Sequence, residues 1–210
     1  TMTEESLKSI KLEDVKQLYK LIYVPEGSYL VIVGDITKEE AKAAVDKYFT
    51  SWTGGKAYKG APLYSKPASG SQVAFVSKTG AVQSVINVNI PMDVAPGDPD
   101  QIGLTVLNQV FGGSGFGTRL MQNLREDKAF TYGCYARQNI DEHGSLLTIS
   151  GNFRNDVTDS AITEILYEIQ KITTELAGEE ELETTKAAMA GSFARSLESP
   201  QTIARFARNI

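Results

Sequence analysis

A chain of 210 residues, 41% hydrophobic and 22% charged, has the composition of one large folded domain or of parts of two, which excludes global disorder. Its net charge of −5 provides no basic field for phosphates, so nucleic acid is not an expected partner, and no apolar run approaches the roughly 20 residues of a membrane-spanning helix, so no membrane segment is expected. His143 and Cys134 are the sole histidine and cysteine; they exclude an internal disulfide and argue against a zinc site, which usually takes three or four His, Cys, Asp or Glu ligands.

In chain order, residues 12–23 place Leu12, Val15, Tyr19 and Ile22 at helical spacing, and Pro25 and Gly27 end that helix. Tyr29–Val33 reads as a buried strand. Thr37 and Glu40 form a capping box for a helix to about Trp52, with Ala41, Ala44, Val45, Tyr48 and Phe49 turned inward. Residues 53–71 hold Gly54, Gly55, Gly60, Pro62, Pro67 and Gly70 with no period, and read as a surface linker. Strands are expected at 72–77 and 83–90. Asp98 with Pro99 should start a helix buried through Ile102, Val106, Leu107, Val110 and Phe111.

Residues 131–138 and 146–153 flank Asp141-Glu142-His143-Gly144 and predict an antiparallel hairpin, with His143 in an exposed turn. Helices follow at 157–176, with Ala161 and Ile165 on its inner face, and at 180–197, buried through Leu182, Met189, Ala190 and Phe193. Ser199-Pro200 starts another that is still running at Ile210. That ending, with Thr1 as first residue, reads as a piece of a longer chain. The pattern predicts an α+β fold: a mixed, largely antiparallel sheet with helices packed on one face.

The chemistry concentrates in Phe111–Tyr132. Gly112, Gly113, Gly115 and Gly117 form a glycine-rich run that lacks the terminal Gly-Lys-Ser/Thr of a phosphate loop and misses the dinucleotide spacing. It admits two other readings: a flexible helix-to-helix connection, or a mobile loop that approaches an extended ligand closely. Arg125 and Tyr132 are two hydrogen-bond donors separated by one loop. Together they could hold a peptide carbonyl; taken separately, Arg125 would pair with a nearby acid and Tyr132 would sit in the core.

Three segments resemble the M16 metallopeptidases, the insulinase-like, pitrilysin-like and mitochondrial-processing-peptidase-like zinc proteases. They are YVPEGSYLVIVGDITKEEAKAAVDKYFTSW (23–52), FGGSGFGTRLMQNLREDKAFTYGCYA (111–136) and EEELETTKAAMAGSFARSLES (179–199). The resemblance implies an M16/LuxS-like metallohydrolase half, two of which face each other across a peptide-holding chamber. It implies that residues 1–53 close an N-terminal half, 54–71 link, and 72–210 open a C-terminal half that is cut short. Zinc and the catalytic base of the family lie on a His-x-x-Glu-His helix, which this sequence lacks, so zinc is expected in the parent or partner chain and no metal ligand or catalytic residue here.

The LRE…TYG motif implies that Arg125 and Tyr132 hydrogen-bond the substrate backbone, with Gly112, Gly113, Gly115 and Gly117 as further substrate contacts, although the glycine run is shorter than the mitochondrial one. The implied partners are an extended polypeptide and an HxxEH-bearing half, in the same chain or another. The implied function is peptide binding in support of proteolysis, with this chain inactive alone; the alternative is a non-catalytic M16-like scaffold or assembly protein. The compartment stays open, the periplasm or cell envelope being the expectation for a secreted bacterial parent. Because the family halves share topology, 12–52 is expected to fill the missing end of the second half, with Leu30–Val33 paired to a strand within 72–153 in one compact domain.

Overall fold

The computed structural model describes residues 2–60 and 69–208. Part of the 54–71 linker, residues 61–68, lies outside the described residues; the rest of it forms no helix or strand. The chain divides into two compact units, Pro62–Gly191 and Thr1–Ala61 with Ser192–Ile210.

The larger unit is built on three strands: β1 (Gln83–Met92), β2 (Thr131–Asn139) and β3 (Ser145–Arg154). They pair antiparallel in the order β1-β3-β2, with Ile149 opposite both Val88 and Ala136. The β2–β3 hairpin lies where the turn chemistry of residues 141–144 places it, and the His143 N–H donates to Asp141 Oδ1 at 3.0 Å. Alternation along each strand sends one set of side chains inward. Ile86, Cys134, Ala136, Ile149 and Phe153 meet Phe111, Leu120, Leu124, Ala161 and Ile165 from the helices in a single core. All helices in that core therefore cover one face of the sheet, as the α+β reading requires.

Those helices are α4 (Gln101–Gly112), α5 (Arg119–Met121, running on to Asp127) and α6 (Thr158–Thr174). Helix α4 begins later than Asp98-Pro99 suggests. Asp98 Oδ1 instead accepts the Asp100 N–H at 2.9 Å, a side-chain turn that precedes the helix. Only its last turn, Val110–Gly112, is buried; Ile102 and Leu107 stand exposed.

In the second unit, α1 (Glu4–Ser9), unmarked in the sequence pattern, precedes α2 (Leu12–Ile22) and α3 (Lys38–Phe49). The capping box on α3 forms as read: the Glu40 N–H donates to Thr37 Oγ1 at 3.2 Å and the Thr37 N–H to Glu40 Oε2 at 2.9 Å. These three helices bury no residue, and Val24 is the one buried hydrophobic of the unit among the described residues. Helix α8 (Pro200–Arg208) starts at the expected proline, and its Phe206 packs edge-on against Phe193, at the end of α7 (Glu179–Ser196), at 5.7 Å. The expected burial along α7 does not occur: Ala190 and Phe193 are exposed, Leu182 and Met189 half-buried.

Two expected strands are not formed. Tyr29–Val33 and residues 72–77 make no ladder with β1, β2 or β3, and Val73 is 96% exposed. Both carry strand composition. A strand also needs a neighbour for its N–H and C=O groups, and neither segment has one among the described residues.

Candidate functional site

Arg125 is set by an unusual stretch of helix. Thr118 Oγ1 accepts the Met121 N–H at 3.4 Å to start α5, and the backbone then widens into a π-helix over Gln122–Asp127. Leu120, Met121 and Leu124 are fully buried and anchor one side, which leaves Arg125 half-exposed on the other. π-Helical turns are rare and frequent at functional sites. The stretch ends in a left-handed (αL) cap. The Phe130 N–H reaches Leu124 O at 2.9 Å and the Ala129 N–H reaches Arg125 O at 3.0 Å, with Ala129 in the left-handed region at φ 50.

The glycine-rich run lies beside it, and its four glycines split into two kinds. Gly112 and Gly113 are buried and packed: a Cβ on Gly112 would meet Ala136 Cβ at 2.9 Å, and one on Gly113 would meet Gln109 Cα at 2.9 Å. A Cβ on Gly115 or Gly117 would meet nothing within 4 Å. Between them, Phe116 is 65% exposed and lies over the Arg125 guanidinium, whose Cζ is 4.4 Å from the ring centroid. Gln109 Nε2 donates to Ser114 O at 3.1 Å and Gln122 Nε2 to Phe116 O at 3.0 Å, so glutamines from α4 and the π-helix hold the loop by its carbonyls. Arg125 also pairs with its neighbour Glu126 at 3.4 Å, an ion pair of the kind the isolated residue predicts.

Tyr132 is not in the core. It is 88% exposed, at an irregularity where β2 slips register against β3 between Thr131 and Cys134. The Thr131 hydroxyl fills the gap, donating to Asn152 O at 2.6 Å and accepting the Gly133 N–H at 3.0 Å. Such a bulge re-aims the side chains beside it. Tyr132 lines a shallow concavity of about 300 Å³ with Gln83, Tyr135 and Asn152. Arg125 does not line it; its partners are the glycine-rich loop and Glu126. The structure thus joins Arg125 to the glycine loop and places Tyr132 on the neighbouring strand.

A second, polar cleft of about 550 Å³ runs between the π-helix and α6. Arg119 makes a two-pronged ion pair with Glu181 at the start of α7, Nε–Oε1 and Nη2–Oε2 both 2.9 Å. Its guanidinium holds the Glu181 carboxyl below the ordinary carboxylate range, and the carboxylate raises Arg119 in turn. Asn123 donates to both Glu164 (3.0 Å) and the buried Glu168 (2.8 Å), tying the π-helix to α6.

Sequence reasoning singled out Arg125, Tyr132 and the glycines, and missed Phe116, Gln109, Gln122 and Arg119. A Phe enclosed by two glycines, Gly115-Phe116-Gly117, was the available signal: glycines on both sides expose a ring that packing would otherwise claim.

Among the described residues no three His, Cys, Asp or Glu side chains come together as a ligand set. Cys134 faces the core, and burial pushes its thiol up to about 12, far from the thiolate that a metal takes. His143 lies in the β2–β3 turn. No helix among the described residues is long and apolar enough to cross a membrane.

A family model described as the peptidase M16 inactive domain matches residues 9–189. The chain is 28% identical over 207 residues to "Uncharacterized zinc protease YmxG" of Bacillus subtilis (strain 168), covering 99% of this chain and 48% of that protein. It is 26% identical over 140 residues to "Non-peptidase homolog YmxG" of Helicobacter pylori (strain ATCC 700392 / 26695), covering 67% of this chain and 32% of the relative. The chain therefore spans less than half the length of these curated relatives. Among solved structures, a protease from Helicobacter pylori superposes with a TM-score of 0.87 at 20% identity, over 96% of this chain and 49% of that one. The peptidase M16 inactive domain from Pseudomonas fluorescens superposes with a TM-score of 0.78 at 23% identity, over 96% and 47%. Both likenesses concern the fold.

Proposed function

Since the chain belongs to the M16 peptidase family, matching its inactive-domain model over residues 9–189, we propose that it is a substrate-holding part of an M16-type zinc peptidase that carries no zinc itself. In this reading it binds extended polypeptide and presents it to an HxxEH-bearing half, supplied by the same chain or another. The guanidinium of Arg125 and the phenol of Tyr132 donate to backbone carbonyls of the bound peptide, and the loop from Gly112 to Gly117 lies along it. A hydrogen bond involving a charged group contributes about 1.5–3 kcal/mol, enough for Arg125 to matter measurably. Holding the scissile region in place removes part of the entropic barrier to its hydrolysis. The hydrolytic step itself belongs to the zinc-bearing half.

The observation that carries this reading is the exposure of both donors on specialised backbone. Arg125 sits on a π-helix under an aromatic ring, and Tyr132 is turned out at a bulge. A residue serving only packing has no use for either device. The test is peptide turnover with the HxxEH-bearing half supplied. Arg125→Ala is expected to lower kcat/KM about tenfold or more, about 1.4 kcal/mol, with the variant folded. Tyr132→Phe, which removes only the hydroxyl, is expected to lower it in the same direction.

A scaffold or assembly role is the rival, and the naming of one relative as a non-peptidase homolog favours it. Unchanged turnover in a folded Arg125→Ala variant would decide for the scaffold.

A further inference from the structure

We propose that Phe116 is a positioning residue for Arg125, so that the glycine-rich loop and the arginine act as one unit; this rests on the peptide-binding reading above for its purpose, and on geometry alone for its existence. The ring lies over the guanidinium at 4.4 Å, a cation–π contact. Phe116 is nevertheless 65% exposed and is not among the residues of the core. Its ring is held in place from below by Arg125, and its carbonyl by Gln122, three residues before Arg125 on the same π-helix.

Gly115 and Gly117 flank it, and a Cβ at either would meet nothing within 4 Å, so open space lies on both sides of Phe116. Gly112 and Gly113, by contrast, are packed, and Gln109 fixes Ser114, so the loop is anchored at its base, while its tip is held through Phe116 by Gln122 and Arg125. An arginine left to itself samples many rotamers, and ordering it on binding costs affinity. A ring over the guanidinium, with Glu126 3.4 Å from Nη1, restricts that freedom before a carbonyl arrives. Movement of the tip then releases the arginine, and engagement of the arginine holds the tip.

The test uses the 210-residue chain labelled with nitrogen-15, with the Arg125 Nε–H resonance assigned by its loss in Arg125→Lys. The expected result is an upfield ring-current shift of that proton that disappears in Phe116→Leu and persists in Phe116→Tyr. Titration with a fluorescent extended peptide is the second readout. Phe116→Leu is expected to weaken binding about two- to fivefold, in keeping with an exposed cation–π contact. Phe116→Tyr is expected to restore it, and Phe116→Leu to add nothing in an Arg125→Ala background.

An Arg125 resonance that Phe116→Leu does not move overturns the proposal. So does a loss on Phe116→Leu that is equally large without Arg125. Absence of peptide binding by the unaltered chain, with the ring-current shift intact, overturns the peptide-binding reading and leaves the hold of Phe116 on Arg125 standing.

Discussion

At the scale of single residues, Ala129 carries a conformation that its side chain disfavours. It occupies the left-handed position of an αL helix cap where glycine is usual, between the π-helix bearing Arg125 and the strand bearing Tyr132. An L side chain in that region costs roughly 1–2 kcal/mol, partly offset by the greater freedom glycine has in the unfolded chain. Ala129→Gly is therefore expected to stabilise the larger unit by about 0.5–1 kcal/mol, read as a higher midpoint in denaturant. Cys134 provides a second residue-scale check. With its thiol buried and pushed up to about 12, it should resist alkylation at pH 8 in the folded chain and react readily in denaturant. Rapid labelling of the native protein would mean that the hairpin opens far more often than its packing implies.

At the scale of elements, the Arg119–Glu181 pair fastens the start of α7 to α5. The arginine side chain is 13% exposed, so this is closer to a buried pair than to a surface one, and losing one partner leaves the other poorly solvated. Glu181→Gln is expected to cost roughly 1–3 kcal/mol at pH 7. The carboxyl is held below its ordinary value of 4.5, so its contribution is complete above that pH and is lost as the pH falls through the lower folded value. Arg119 stays protonated throughout. The stability gap between the native chain and Glu181→Gln should therefore be constant near neutrality and narrow below about pH 4.5. A gap that persists into strong acid would assign the effect to packing rather than to charge.

At the scale of the whole molecule, burial is unevenly divided. Among the described residues, the sheet and its three helices hold every fully buried side chain, among them Phe153, Leu120, Met121 and Ile149, whereas α1, α2 and α3 bury none. Local opening free energy follows the apolar surface that must be re-exposed. Amide hydrogen exchange should therefore be slowest along β3, the central strand, and fastest across residues 4–49. Comparable protection in the two units would show that the smaller one is held by something other than its own core.

Most of the elements were legible in the sequence, because helices and hairpins are local. The Thr37–Glu40 box, the Pro200 start, the hairpin around residues 141–144 and the helices at 158–174 and 179–196 each follow from signals within a few residues of one another. Arg125 and Tyr132 were legible as candidates from the LRE…TYG resemblance, and the loop glycines with them.

What tertiary structure alone decided is whatever depends on a distant partner. Tyr29–Val33 and residues 72–77 have the composition of strands and form none, since a strand exists only where a neighbour accepts its hydrogen bonds. How much of α4 and α7 is buried likewise falls short of the sequence pattern, because amphipathic spacing names a face without naming what covers it. Phe116 over Arg125, the bulge that turns Tyr132 outward and the Arg119–Glu181 clasp join residues that are 9, 21 and 62 positions apart. Local propensity carries no information across such separations; only the folded backbone brings those groups within reach.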